Sequence, residues 1–348
     1  FLTFPAFFGF MIGDLGYGIV YALIGYYLYS RFDSDVFRSM GGVTIAAGLF
    51  TMLFGVLYGE FFGLHALGEV LFGGHPPMEK GLSPAGKGFA LTWLVISVLV
   101  GILHLNVGYV LDFVEGLELH DLRHAVTESG SWILMLNGVW VWILSRHAAG
   151  SKPNFLFTVF DGSETAPEST AEFVSAHYAL GFNGFAPEVG IAAAVVAGVG
   201  FLLLLVGEPI ELVEVLNVLV NALSYTRIAA VLLAKAGMAF TVNLLFFGAY
   251  VHDGEFHFML GETPAHVIQE FGAEAIMFPG LIHGNVAAVI GGLLVLVIGH
   301  VLVLALGITS AGLQAVRLEY VEFFGKFYEG GGESYEPFGY ERAFTTGD

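Results

Sequence analysis

The chain alternates between long apolar runs and short polar connectors. Within the runs the apolar residues are continuous, without the two-residue alternation of barrel strands, so the pattern predicts helices. The first run, residues 1–29, is interrupted by Gly13-Asp14-Leu15-Gly16-Tyr17-Gly18. It reads either as one kinked helix or as two short helices meeting at a turn. A second run covers about 40–63 and ends in Tyr58-Gly59-Glu60-Phe61-Phe62-Gly63. Runs at about 88–114 and 130–145 predict two more helices, joined by a polar hinge from Glu115 to Glu128. After the longest polar insert, 146–187, residues 188–206 are almost purely Ala, Val, Leu and Gly, and Gly207-Glu208-Pro209 stops them. Two very long apolar-rich segments, about 210–250 and 280–325, complete the pattern. Fully helical, each would measure about 60 Å, roughly twice the hydrocarbon thickness of a bilayer. Such helices must tilt strongly or protrude. The expected fold class is an all-α integral membrane protein, a polytopic bundle whose last two helices are long and strongly tilted. No internal repeat and no low-complexity linker divides it.

Composition agrees. Of 348 residues, 56% are hydrophobic and 12% charged, against about 25% charged in soluble domains. Mean hydropathy is +0.77. The chain opens at Phe1, already inside an apolar run and without a signal-peptide pattern, and so reads as a fragment lacking its N-terminal part. The absence of cysteine excludes disulfides and thiolate metal sites. The net charge of −19 comes from 31 acidic and 12 basic residues. Much of the acid lies at 161–172, at 252–274 and after Glu319. This balance argues against nucleic acid or anionic lipid as a partner, and it suits a very salty habitat. The Lys and Arg bias puts Arg31, Arg38, Arg123, Lys326 and Arg342 in the cytoplasm. Lys80, Lys87, Arg146 and Lys152 then fall outside, together with both acidic inserts.

Ionisable residues at membrane depth are costly and are functional candidates by default. Arg227 lies near the middle of the 210–250 segment. On a helix, Asn217, Ser224 and Lys235 fall within roughly 60–80° of it, and Glu214 and Asn221 at roughly 120–140°. Glu214, Asn217, Asn221 and Ser224 thus form a polar stripe beside the arginine, able to line a water-accessible groove. If the span begins only at residue 228, Arg227 instead snorkels to the headgroups. In the last segment Ser310, Gln314 and Arg317 share a face. Arg317 could equally mark the cytoplasmic helix end, with Glu319 and Glu322 beyond it. His300 lies deeper, where a hydrogen-bonded packing role is more usual than a proton relay. Asp14 and Glu60, each flanked by glycines, read as structural carboxylates bonding backbone groups freed at a break. The loop histidines form no metal-ligand spacing, and no nucleotide or cofactor motif and no Ser/His/Asp set is present.

An arginine stays charged at any biological pH and cannot relay a proton. It can make a nearby carboxyl release one, because a cation lowers a carboxyl pKa. Its own segment offers no carboxylate at its depth, so the expected partner comes from another subunit.

At this point the residues resemble a family, the membrane domain of subunit a (subunit I) of V/A-type ATPases, in its archaeal form. The resemblance covers essentially the whole chain. Residues 4–18, Phe4 to Gly18, look like the family's opening hairpin, and Tyr58 to Gly63 like its next helix end. Ser224-Tyr225-Thr226-Arg227 is similar to its Ser-Tyr-X-Arg, which holds the essential arginine. Arg317-Leu318-Glu319 with Lys326-Phe327-Tyr328 and Tyr335-Glu336-Pro337-Phe338 resembles its C-terminal signature. The resemblance implies about eight helices, counting 1–29 as two. Residues 1–206 would form a scaffold, and 207–348 two long helices facing a ring of c (proteolipid) subunits, followed by a cytoplasmic tail. It also implies a cytosolic N-terminal domain absent from this chain, partners among the peripheral and central stalk subunits, and proton or sodium half-channels in the plasma membrane. Arg227 and Arg317 carry over as the pair facing the ring carboxylates, with Gln314 beside them. Some members have a histidine where this chain has Lys235, and eukaryotic members a glutamate where it has Gly307. Glu214 sits one position from where those members place an acid. Two other readings remain: a secondary transporter binding a small anion through Arg227, and a scaffold in which both arginines snorkel.

Overall fold

The computed structural model describes residues 2–74, 76–78, 80, 87–161, 180–207, 209–252 and 255–328. The chain is a polytopic helical membrane protein. Helices α1 (Thr3–Ile12) and α2 (Leu15–Arg31) are separate and meet at Gly13, whose φ of 43° places it in the left-handed region. Of the two readings of residues 1–29, the two-helix one is therefore correct. Helix α3 (Asp35–Tyr58) runs antiparallel to α2, and glycines let the two backbones touch. A Cβ on Gly25 would meet Ile45 N at 2.7 Å, and one on Gly48 would meet Ala22 N at 2.6 Å. Small residues are what hold helices together in lipid, where no hydrophobic force does so.

A short helix, α4 (Ala66–Phe72), precedes α5 (Lys87–Leu119). Then come α6 (Leu122–Thr127), α7 (Ser129–Ile143), the single turn α8 (Phe155–Thr158) and α9 (Pro187–Gly207). Helices α7 and α9 pack together, and α5 packs against α7 and against residues 217–247. The acidic insert 161–172 and the tail motif at 335–338 lie outside the described residues, apart from Asp161.

The 210–250 segment is not one helix. A 3-10 turn (Pro209–Glu214) leads into α10 (Asn217–Ser224), a tight turn at Tyr225, and then α11 (Thr226–Phe247). Around Tyr225 the bonds shorten to i→i+3: Tyr225 N donates to Ala222 O and Ile228 N to Tyr225 O. The apolar segment also ends earlier than its composition suggests. Beyond Gly248 the chain builds a three-stranded antiparallel sheet, β1 (Ala249–His252), β2 (Glu255–Phe258) and β3 (Ile276–Phe278), in the order β2-β1-β3. Helix α12 (Pro264–Phe271) lies between β2 and β3 in sequence, its first turn capped by Thr263. Polarity alone gave no sign of this cap.

The last segment keeps its length. Asn285 caps α13 (Val286–Arg317), which passes into a π-helical stretch (Leu318–Phe323) and a 3-10 turn (Phe324–Lys326). Among the described residues five helical stretches, two of them spanning more than one element, are long and apolar enough to cross a bilayer: Asp35–Tyr58, Ala90–Leu119, Pro187–Gly207, Asn217–Phe247 and Val286–Lys326. Eight crossings would require Thr3–Ile12, Leu15–Arg31 and Ser129–Ile143, which are shorter, to cross as well.

Candidate functional site

Two polar networks lie among the apolar helices. The first gathers at the Tyr225 turn. Ser224 Oγ donates to Glu322 Oε1 at 2.6 Å and accepts from Arg227 Nη1. The same Nη1 reaches Ser224 O at 3.4 Å and lies 3.9 Å from Glu322 Oε1. With its amide oriented to suit its neighbours, Asn221 donates to Glu322 Oε2 at 3.0 Å and accepts from Lys326 Nζ at 2.7 Å. Glu322 is buried, whereas 32% of the Arg227 side chain is exposed. The π turn, a feature that recurs at functional sites, puts Leu318, Glu319 and Glu322 on the buried side.

Arg227's own segment supplies no carboxylate, as expected, but the last segment brings one near it within the chain. Glu322, read from the sequence as lying beyond the helix end, reaches back across α10 to it. The polar stripe is also rearranged. Glu214 ends the 3-10 turn, exposed, and accepts from Asn217 Nδ2 at 3.3 Å, whereas Asn221 and Ser224 turn inward onto Glu322. On α13, Ser310 donates to Leu306 O at 2.7 Å and is half-buried, as is Gln314; Arg317 is exposed.

The second network ties the α1–α2 turn to the end of α3 and to α11. Asp14 caps α2: its Oδ1 accepts from Tyr17 N and Phe62 N, each at 3.0 Å, and its Oδ2 from Gly63 N at 2.7 Å. Lys235 Nζ lies 3.4 Å from Asp14 Oδ2 and 4.0 Å from Glu60 Oε2. Lys235 is thus engaged here, not beside Arg227. Lys80 Nζ bonds Glu60 Oε2 at 2.5 Å and the carbonyls of Ile12 and Gly13 at 3.2 and 2.8 Å. Burial pushes the Lys80 ammonium down to about 8, with Glu60 opposing the shift. His300 is bonded on both sides, Nδ1 to Tyr17 OH at 2.6 Å and Nε2 to Asn243 Oδ1 at 3.2 Å. Asn243 Nδ2 in turn donates to Phe62 O at 2.8 Å. Two cations and two anions balance, and the backbone donors around Asp14 hold the turn closed. Asp14 bonds backbone groups at the break, as its glycine setting suggested, and Glu60 bonds Lys80.

Glu322 and His104 were the residues least visible in the sequence. His104 sits in the middle of the 88–114 run, and its depth there was a signal. Glu322 carried none, because its inward placement depends on the π turn.

Chemically, the first network holds a permanent cation against Glu322 and Ser224 with about one-third of its side chain exposed. Charged side chains held between long apolar helices define a class: a multi-pass helical membrane protein with ionised groups among its helices. No family model matches the sequence. The chain is 48% identical to the A-type ATP synthase subunit I of Halobacterium salinarum, over 100% of this chain and 48% of that protein. It is 29% identical to subunit I of Archaeoglobus fulgidus, over 99% of this chain and 49% of that one. For the Methanocaldococcus jannaschii subunit the identity is 27%, over 99% and 44%. The chain spans about half the length of the relatives it matches. It belongs to the A-type ATP synthase subunit I family.

Proposed function

We propose that this chain is the stationary part of the ion path in a rotary ATP synthase, in the cell membrane. Its outer helices stand against a ring of proteolipid subunits, with stalk subunits completing the stator and rotor. Residues 1–206 act as scaffold, and the two long segments from residue 207 onward present the path. Arg227 draws the ion off a ring carboxylate by favouring its charged form. Arg317, beside Gln314 and Ser310, acts on the same ring surface. Glu214, Asn217, Asn221 and Ser224 conduct the ion, proton or sodium, on one side of the arginine. Lys235, with Asp14 and Glu60, supplies fixed charges on the other.

One observation carries this reading. The guanidinium of Arg227, within the apolar stretch Asn217–Phe247, is one-third exposed and 3.9 Å from Glu322. The test is Arg227→Ala, and separately Arg227→Lys, in the full subunit within the complex, reconstituted in vesicles. Both are expected to abolish ATP-driven ion uptake while the complex assembles, since lysine lacks the planar fork. Uptake at the native rate in Arg227→Ala vesicles would overturn the proposal.

A further inference from the structure

The turn that carries Arg227 and the π turn that carries Glu322 share one seat, on α5. Tyr225, two residues before the arginine, is fully buried, and its OH meets His104 Nδ1 at 2.7 Å. Its ring lies edge-on to the imidazole. Phe323, next to Glu322, stacks flat on the face of the same imidazole, centroids 4.1 Å apart and planes 9° apart. Glycines clear the space one turn to either side. A Cβ on Gly101 would meet Tyr225 Cγ at 2.5 Å, and one on Gly108 would meet Phe323 Cδ2 at 3.3 Å. Residues 101, 104 and 108 fall on one face of a helix, so a single strip of α5 receives both partners. His104 Nε2 is buried and has no hydrogen-bond partner among the described residues. A histidine kept for stability alone would not leave that atom unsatisfied, because a buried polar group without a partner costs stability.

We propose that His104 is the positioning residue of the site. Through Tyr225 it fixes the turn from which Arg227 projects, and through Phe323 the turn from which Glu322 projects. It thereby sets the spacing of arginine and carboxylate without touching either. The inference rests on the ion-coupling role proposed for Arg227. Its consequence is that the hydrogen bond and the stack are separable. His104→Asn keeps a polar atom where Nδ1 stands and loses the stack. His104→Phe combined with Tyr225→Phe keeps the rings and removes both polar partners, a change that leaves stability nearly neutral.

The experiment measures three things in the reconstituted complex: ATP-driven ion uptake, melting temperature, and the yield of a disulfide between cysteines placed at Ser224 and Glu322. In the double phenylalanine variant uptake should fall on the order of tenfold, as a small misplacement of a reacting group does. The melting temperature should hold and the disulfide yield should change. His104→Asn should recover part of the uptake. Native uptake and native disulfide yield in the double variant would overturn the positioning role. So would a loss of uptake that tracks a loss of stability. If Arg227→Ala itself pumps normally, the coupling reading fails instead, and the disulfide yield still reports whether His104 sets the spacing.

Discussion

Replacing Glu322 with glutamine tests whether Arg227 is held by a partner that an arriving carboxylate must displace. The substitution keeps the shape and an oxygen for Ser224 Oγ, which donates to Glu322 at 2.6 Å, and removes only the charge. At 3.9 Å, Arg227 and Glu322 attract by about 4 kcal/mol at an effective dielectric near 20. Much of this is lost. The guanidinium is one-third exposed and screened, and the buried carboxylate carries a desolvation cost that the glutamine escapes, so about 1–2 kcal/mol survives. Without the resident anion, Arg227 should hold an external carboxylate more tightly by that amount, roughly 5–30-fold. A carboxylate held that long releases slowly, so Glu322→Gln should slow ATP-driven ion uptake by about the lower end of that range. The complex should remain assembled and ATP hydrolysis should slow in step. Glu322→Asp, which keeps the charge, should fall between. The assay is acidification of vesicles bearing the complex, with ATP turnover followed in parallel. Native uptake in Glu322→Gln would show that the pair is incidental to the motor.

Three further outcomes follow from the geometry. Lys235→Met strips Asp14 and Glu60 of a buried cation and should destabilise the chain by about 3 kcal/mol, the low end for a broken buried pair because backbone donors still hold Asp14; unchanged melting in detergent would contradict the role of Lys235 in that knot. Single cysteines at Glu214 and Asn217 should react with water-soluble maleimides faster than one at Asn221, which Glu322 and Lys326 cover; equal rates would mean the three share one environment. Arg317→Ala should impair pumping less than loss of Arg227, and cysteines at Ser310 and Gln314 should crosslink to the ring beside its carboxylate; normal pumping without crosslinks would make Arg317 an interfacial anchor.

The elements legible in the sequence were those written in local terms. Apolar runs marked the long helices, and Gly13-Asp14 marked a break in the first run, which the structure resolves as a turn with a left-handed glycine and a capping carboxylate. The Tyr225 turn had no such mark: Ala222-Leu223-Ser224-Tyr225-Thr226 contains neither glycine nor proline. It exists because α5 offers Tyr225 a seat, and a contact between residues 104 and 225 cannot be read from either stretch alone. The same holds for Lys235. Helical angle put it beside Arg227, but Asp14 and Glu60 on other elements claimed it. The sheet at 249–278 was hidden by its polarity, which reads as a loop until Tyr250, Met259 and Val267 are seen to share a small core.

Helix α13 has two unlike sides. Three of its glycines face the rest of the chain: Gly299 lies against Val242, Gly292 against Leu281 and Phe246, and Gly307 against Tyr21. The outward side carries bulky aliphatics such as Leu294, Ile298, Val301 and Leu302, all more than half exposed. In hydrocarbon, small residues lock helices and branched aliphatics gain little over lipid. The helix is thus gripped from within and slippery from without. A neighbour sliding past that outer side would exchange one aliphatic contact for another at nearly constant free energy, as in a bearing.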